Sequence, residues 1–358
     1  MKKFSVICGL LMFVILLVCS GCGSAPEQTE QPEQSDQQDP ALTEDEFAEY
    51  DTYDWSLALC TAVTHSRNQP IIDCVARIAD RTNGHLNITL YGTGELPYKA
   101  TELVSVASSG VVEITECSSS NVSGEWKSIG VITYPFLCTT WDGFMTMQDV
   151  VLPIAAEELE NEWNCSILAF ESDPLQILAG DGEPISSIDD FQNRKVRGNN
   201  AYVQEFLEMA GASSISVTSN EIAEAMSHSM IDSFSTGAAT IASMKYYEYC
   251  DWVLNAPLFC TGTALVISND VLASLPEEFQ TILAEEFATF YDDFNATALE
   301  QHNAALQTFA DAGLQIVEAP AEMGQDGYNL VNGSWVDWAS DSNEYSVRAL
   351  EAAIEALY

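Results

Sequence analysis

The chain has 358 residues, with 54 Asp and Glu against 12 Lys and Arg and a formal net charge of −42. Such a field repels nucleic acid and anionic lipid surfaces, so a nucleic-acid partner is excluded and the acid excess reads as a solvated surface. The length leaves room for two domains of ordinary size.

The first element is a leader. Met1-Lys2-Lys3 is cationic, Val6 to Val18 is almost wholly apolar, and Cys19-Ser20-Gly21-Cys22 follows. This is the layout of a bacterial export signal, and the apolar run is short for a permanent membrane span. Ser20-Gly21-Cys22 resembles a lipoprotein signal, which implies lipidation of Cys22, although Cys19 stands where Leu is usual. The same residues also spell C-x-x-C, a redox or metal motif. Residues 23–49 are Ser, Pro, Glu, Gln, Asp and Thr with little to bury, and are expected to be a disordered tether.

Strand and helix patterns alternate from residue 54 onward. The pattern predicts a strand over 55–59, a helix over 69–83 stopped by Gly84, and an alternating strand over 86–91. A helix over 98–109 and a strand over 111–115 come next. In the second half, 195–197 is a short strand, 201–209 a helix stopped by Gly211, and 215–217 a strand. Thr218-Ser219-Asn220-Glu221 is a capping box that opens another helix, and 230–234 is again a strand. Repeated βα units predict an α/β fold with helix-covered sheets. From Pro276 to Gly313 no breaker occurs; a continuous helix there would be about 55 Å long, enough to span two lobes as a shared spine. The alternative is two shorter helices with a bend near Asn295.

Catalytic and cofactor motifs are missing: there is no G-x-S-x-G, no H-E-x-x-H and no phosphate loop. The spacing of His65, His85, His228 and His302 outlines no metal site. Besides Cys22, the seven cysteines after the leader are widely spaced. They read as small buried hydrophobes, and no disulfide pair can be chosen from sequence. One cluster stands out: Arg194, Lys195 and Arg197 place three scarce cations within four positions. In a strand, Lys195 and Arg197 share one face. Arg197 sits at the carboxyl end, where α/β domains bind ligands, and its fork suits a carboxylate. The competing expectation is that Arg197 simply pairs with one of the many acids.

Several blocks of sequence then follow one another. They are Cys60 to Pro70 (CTAVTHSRNQP), Asp80 to Gly84 (DRTNG), Leu90 to Leu96 (LYGTGEL), Val104 to Thr115 (VSVASSGVVEIT) and Tyr134 to Leu137 (YPFL). Ser186 to Arg197 (SSIDDFQNRKVR) comes next, then Phe206 to Ala212, Glu221 to Met226, Met230 to Asp232, Ser243 to Glu248 and Leu275 to Glu278. In order and spacing, from about Trp55 to Val317, the chain resembles the DctP-type solute-binding proteins of TRAP (tripartite ATP-independent periplasmic) transporters.

The resemblance implies a bilobal, periplasmic-binding-protein-like fold. Lobe I would comprise residues 50–174 and 263–300, lobe II residues 175–262 and 301–330, and residues 331–358 a C-terminal segment. In that family an Arg ending a K-[IV]-R strand grips the carboxylate of a small organic acid; the matching residue is Arg197. Two departures matter. Thr236 and Gly237 stand where many members have Asn and Pro, and 173–178 lacks the second Arg of dicarboxylate and sugar-acid binders. A monocarboxylate, such as a keto or aromatic acid, is therefore expected over a C4-dicarboxylate. Strand ends nominate further wall residues: Thr64, His65, Tyr98, Ser118, Ser119 and Gln176, with Phe234 and Trp126 as apolar surface.

The implied protein is a lipid-anchored, monomeric receptor on the outer face of the cytoplasmic membrane. It would hand its acid to TRAP integral-membrane subunits, with no cofactor or metal and no enzymatic role. Two alternatives keep the same architecture: a ligand sensor for a membrane receptor, and the binding protein of an ATP-driven importer. A third, an enzyme, would need His65 as its base.

Overall fold

The computed structural model describes residues 47–358; Cys22, the leader and nearly all of the tether lie outside them. The chain opens with β1 (Tyr53–Ala58) and α1 (Gln69–Arg81), whose Ile71, Cys74 and Ile78 are buried at helical spacing. The helix ends two residues short of the expected stop, and the chain reverses through Asn83 and Gly84, both at positive φ. Gly84 bears the larger angle (φ 78°), which glycine takes without a Cβ penalty. β2 (Leu86–Tyr91), α2 (Leu103–Ser108), β3 (Ile114–Ser118) and the single turn α3 (Ser119–Val122) follow.

α4 (Trp141–Trp163) leads into β4 (Cys165–Gly180). Next come β5 (Lys195–Arg197), α5 (Ala201–Met209), β6 (Ser213–Ile215), α6 (Ile222–Ser227), β7 (Ser233–Gly237) and α7 (Ala238–Ser243). β8 (Trp252–Ser268), α8 (Asn269–Ala273), α9 (Glu277–Asp311), β9 (Gln315–Val317), α10 (Ala321–Ser342) and α11 (Glu344–Leu357) complete the chain.

The strands form one open sheet in the order β2-β1-β3-β8-β4-β7-β5-β6, with β9 added beside β8. Two parallel groups flank a long antiparallel pair. β1 runs parallel to β2 and β3, and β5 runs parallel to β6 and β7. β4 and β8 pair from Cys165↔Ser268 to Gly180↔Trp252, so both strands belong to both groups. Their ladder is irregular between Asp173 and Gln176 and again after Gln176, where the sheet passes from one group to the other.

Several elements sit a few residues from their expected places. The strand expected over 111–115 is β3 at 114–118, because Val111 is 58% exposed beyond Gly110 and pairing with β8 sets the register at Ile114↔Ile267. The strand expected over 230–234 is β7 at 233–237, because the chain is still turning through Ser229, at φ 53°. β6 lies at 213–215, not 215–217, in register with β5 through Lys195↔Ser213. The helix expected over 98–109 is a 3-10 turn at 100–102 followed by α2.

α9 is continuous through Asn295, so the bent alternative does not hold. Its first half, from Phe279 to Phe294, buries four Phe with Ile282 and Leu283 in a core shared with β1, α1 and β2. Its end places Ala305 and Phe309 in a second core with α6, β7 and α7. A third, larger core gathers α4, α10 and α11 around Trp126, Phe144, Trp335 and Leu350. The cysteines after the leader read as buried hydrophobes and mostly are: five are buried, and Cys60 and Cys250 are half-buried.

Candidate functional site

The carboxyl ends of β1, β3, β5 and β7 converge on the irregular stretch of β4 and β8, and a cavity of about 120 Å³ lies there. It is close to the roughly 150 Å³ that encloses one benzene molecule, so it suits a small molecule. From the β1–β3 group its wall is Cys60, Thr61, Ala62, His65, Arg67, Ser118, Ser120 and Asn121. The β5–β7 group supplies Arg197, Asn199, Ser219, Asn220, Thr236, Thr240, Met244 and Tyr246. The shared strands add Gln176, Thr261 and Thr263.

The three neighbouring cations have separate fates. Arg194 pairs with Asp232 at 3.3 Å and donates to Glu183 O and Asp181 O on the outside. Lys195 is exposed and donates to Ser229 O at 3.1 Å. Arg197 alone turns inward and is 5% exposed. Its Nε donates to Val217 O at 3.1 Å, Nη1 to Ser235 O at 2.9 Å and Nη2 to Ser219 Oγ at 3.5 Å. Among the described residues no acid pairs with it, so its positive charge meets only neutral acceptors. Burial lowers its pKa to about 10, opposed by Tyr246, which leaves it a cation at neutral pH. A buried cation without a counter-ion is costly, and a ligand carboxylate would remove that cost.

Local sequence explains its fixed position. Asn200 caps α5 by accepting from Val203 N at 2.9 Å, which holds the loop after β5. Gly198 has no Cβ because one would meet Gln204 Cγ at 2.8 Å; the close neighbour is the chain's own helix. The Thr218–Glu221 capping box holds the segment carrying Val217 and Ser219, and Tyr246 Oη donates to Ser219 O.

The facing wall carries a second arginine. Arg67, 11% exposed, contacts Glu171 through Nη2 and lies 3.8 Å from Glu116, both acids being almost wholly buried. Its guanidinium also stacks over Phe294 at 5.4 Å. Glu116 accepts from Cys60 N. Burial pushes the Glu171 carboxyl well above its usual range, against the pull of Arg67 and with the help of Glu116. Beside this cluster, His65 Nδ1 accepts from Arg67 N at 3.2 Å, so the neutral ring carries its proton on Nε2, 3.0 Å from Ser243 Oγ. Burial, then Arg67, lower the His65 pKa to about 4.

Of the residues nominated from sequence, the cavity brings together Arg197, Gln176, Thr236, Ser118 and His65. The others lie off its wall. Thr64 is exposed. Tyr98 lines a separate cleft beside Gly92 and Leu103, because the chain stays irregular until residue 100. Ser119 is buried with its hydroxyl accepting from Gly262 N at 3.2 Å, so it holds the crossing strand. Phe234 alternates away from Ser235 into the core against Tyr246. Gly237 pairs with Gln176 and precedes α7. Trp126 is core, its Nε1 donating to Ala155 O. Sequence reading missed Arg67, Tyr246, Thr261 and Thr263 as wall residues. Among the described residues no group of His, Cys, Asp and Glu could hold a metal, and no helix is long and apolar enough to cross a membrane.

Two parallel strand groups, shared crossing strands and a small polar cavity between them are the architecture of a bacterial solute-binding protein. A solute-binding protein of Sulfitobacter sp. (strain NAS-14.1) is 23% identical over 240 residues, 66% of this chain and 72% of that protein. The chain belongs to the bacterial extracellular solute-binding proteins of family 7, the DctP family, whose model matches residues 69–341. Solved structures share the fold. DctP7 of Bordetella pertussis, an extracytoplasmic solute receptor binding pyroglutamic acid, superposes with a TM-score of 0.78 at 18% identity, over 84% of this chain and 99% of that one. A TRAP periplasmic solute binding protein from Rhodoferax ferrireducens, with bound malonate, gives 0.75 at 18% identity over 84% and 98%.

Proposed function

We propose that this chain captures a small organic acid with one carboxylate, such as a keto or aromatic acid, and delivers it to TRAP membrane subunits. Arg197 carries the reading: it is a buried cation in a small cavity, bonded only to neutral acceptors. The pyroglutamate and malonate of the related structures are acids of the same size class, which supports an acid here. Cys22 would carry lipid and residues 23–49 would tether the receptor to the outer face of the cytoplasmic membrane. The two strand groups would act as lobes, residues 50–174 with 263–300 and residues 175–262 with 301–330.

Ligand would enter between the lobes, meet Arg197 and draw them together. Ligand shifts that equilibrium only through better contacts in the closed form. Two direct bonds between the groups, His65–Ser243 at 3.0 Å and Asn199–Ser120 at 3.3 Å, are candidates for latches of that form. Thr236, Gln176 and Ser118 would orient the rest of the ligand by hydrogen bonds.

Thermal unfolding of the protein with a panel of mono-, di- and keto-carboxylates tests this. At 100 times its dissociation constant a ligand stabilises by about 2.7 kcal/mol, a clear upward shift. A shift with monocarboxylates that disappears in Arg197→Ala is expected. Shifts that survive the substitution would place the site elsewhere.

A further inference from the structure

The cavity is lined by two arginines, one from each strand group, and they are dressed differently. Arg197 has only carbonyl and hydroxyl acceptors. Arg67 is engaged by two buried acids, Glu171 directly and Glu116 at 3.8 Å. The two buried acids together offset the positive charge of Arg67. A guanidinium so occupied has no charge to offer a ligand, although it lies on the cavity wall.

We infer that Glu116 and Glu171 are specificity-determining residues that limit the cavity to a single carboxylate, by neutralising the one arginine able to receive a second. This deepens the proposed function and rests on Arg197 as the carboxylate anchor. The absence of an arginine between 173 and 178 does not by itself set the ligand charge, because Arg67 already stands on the opposite wall. What sets it is the pair of acids behind Arg67. A dicarboxylate would have to pull Arg67 from both, leaving a buried charge unpaired.

The test compares the full chain with Glu116→Gln/Glu171→Gln, each single substitution, and the double variant with Arg67→Leu added. Each is titrated calorimetrically with pyruvate and benzoate as monocarboxylates and with malonate and oxaloacetate as dicarboxylates. The double variant should gain at least tenfold in affinity for a dicarboxylate relative to the monocarboxylates, and Arg67→Leu should erase the gain. Circular dichroism identifies the folded variants; should the double one not fold, the folded single variants are expected to show a smaller gain of the same sign. Wild-type preference for malonate or oxaloacetate would overturn the inference, as would an unchanged ratio in every folded variant. Monocarboxylate binding abolished by Arg197→Ala, with no dicarboxylate gain, overturns this inference alone. Binding that ignores Arg197→Ala, or wild-type protein that takes none of the four acids, overturns the anchor reading and this inference with it.

Discussion

The two arginine walls of the cavity hold the same residue type at similar burial, and their surroundings are opposites. Arg67 sits among two buried carboxylates, while Arg197 sits among carbonyls and a hydroxyl. The first charge is settled inside the protein and the second is left open. Burial of a cation is therefore not what marks a binding residue; the sum of charge around it is. In a chain with 54 acids and 12 cations, leaving one buried cation without an acid requires the fold to keep acids away from it.

The contrast can be broken from the Arg67 side first. Arg67→Ala removes the counter-charge of Glu116 and Glu171, and breaking a buried pair in this way costs about 3–5 kcal/mol. Urea unfolding of the ligand-free protein should show that loss. Arg197→Met removes a charge that has no acid partner, so the same measurement should move by no more than about 1 kcal/mol, while acid binding is abolished. An equal loss in both variants would show that the two walls do not differ in charge balance.

Arg197→Lys sharpens the comparison by keeping the charge and losing the planar fork. One charge-assisted bond to the ligand would go, weakening binding by about 1.5–3 kcal/mol. Calorimetric titration should place this variant between wild type and Arg197→Ala.

The smallest expected effect is one of pH. Folding lowers the His65 pKa to about 4, so between pH 6.5 and 4 the unfolded chain binds a proton that the folded chain does not. Stability should fall by of order 1 kcal/mol as the pH drops through that window, and His65→Gln should remove that slope. Arg67, Glu116 and Ser243 face the ring, so the slope measured in Arg67→Ala should also change. Glu171 contributes with the opposite sense: its raised pKa withdraws stability as the pH rises above the ordinary carboxylate range.

How far the sequence reaches into this site follows from distance along the chain. Arg197 is legible because strand alternation, a strand end and Gly198 all lie within four residues. Among the cations after the leader, Arg67, Lys195 and Arg197 are the ones with no acid within four positions, a signal that would have added Arg67. Glu116 and Glu171 are beyond such reading. They meet Arg67 only because β8 lies between β3 and β4 in the sheet. The helix α4 escaped detection because Pro153 lies inside it and because its buried face includes Gln148 and Glu158. Glu158 tolerates that position by accepting from Ser128 N and Asn343 Nδ2. β4 and β8 are longer than ordinary strands, and their alternation is broken by the bulges at which they change groups.

α9 has a mechanical consequence. It is clamped over its first half by one core and at its last turns by another, and no residue between Phe294 and Ala305 is fully buried. A beam gripped at both ends stores elastic strain along the span between its grips when they rotate; in that span Asn295 accepts from Ser172 N on β4 and Ala298 packs against the first core. In the lobe closure proposed above, that span of half-buried and exposed helix would act as a return spring. Gly substitutions at exposed positions such as Leu299 or Glu300 would soften that spring without touching the cavity.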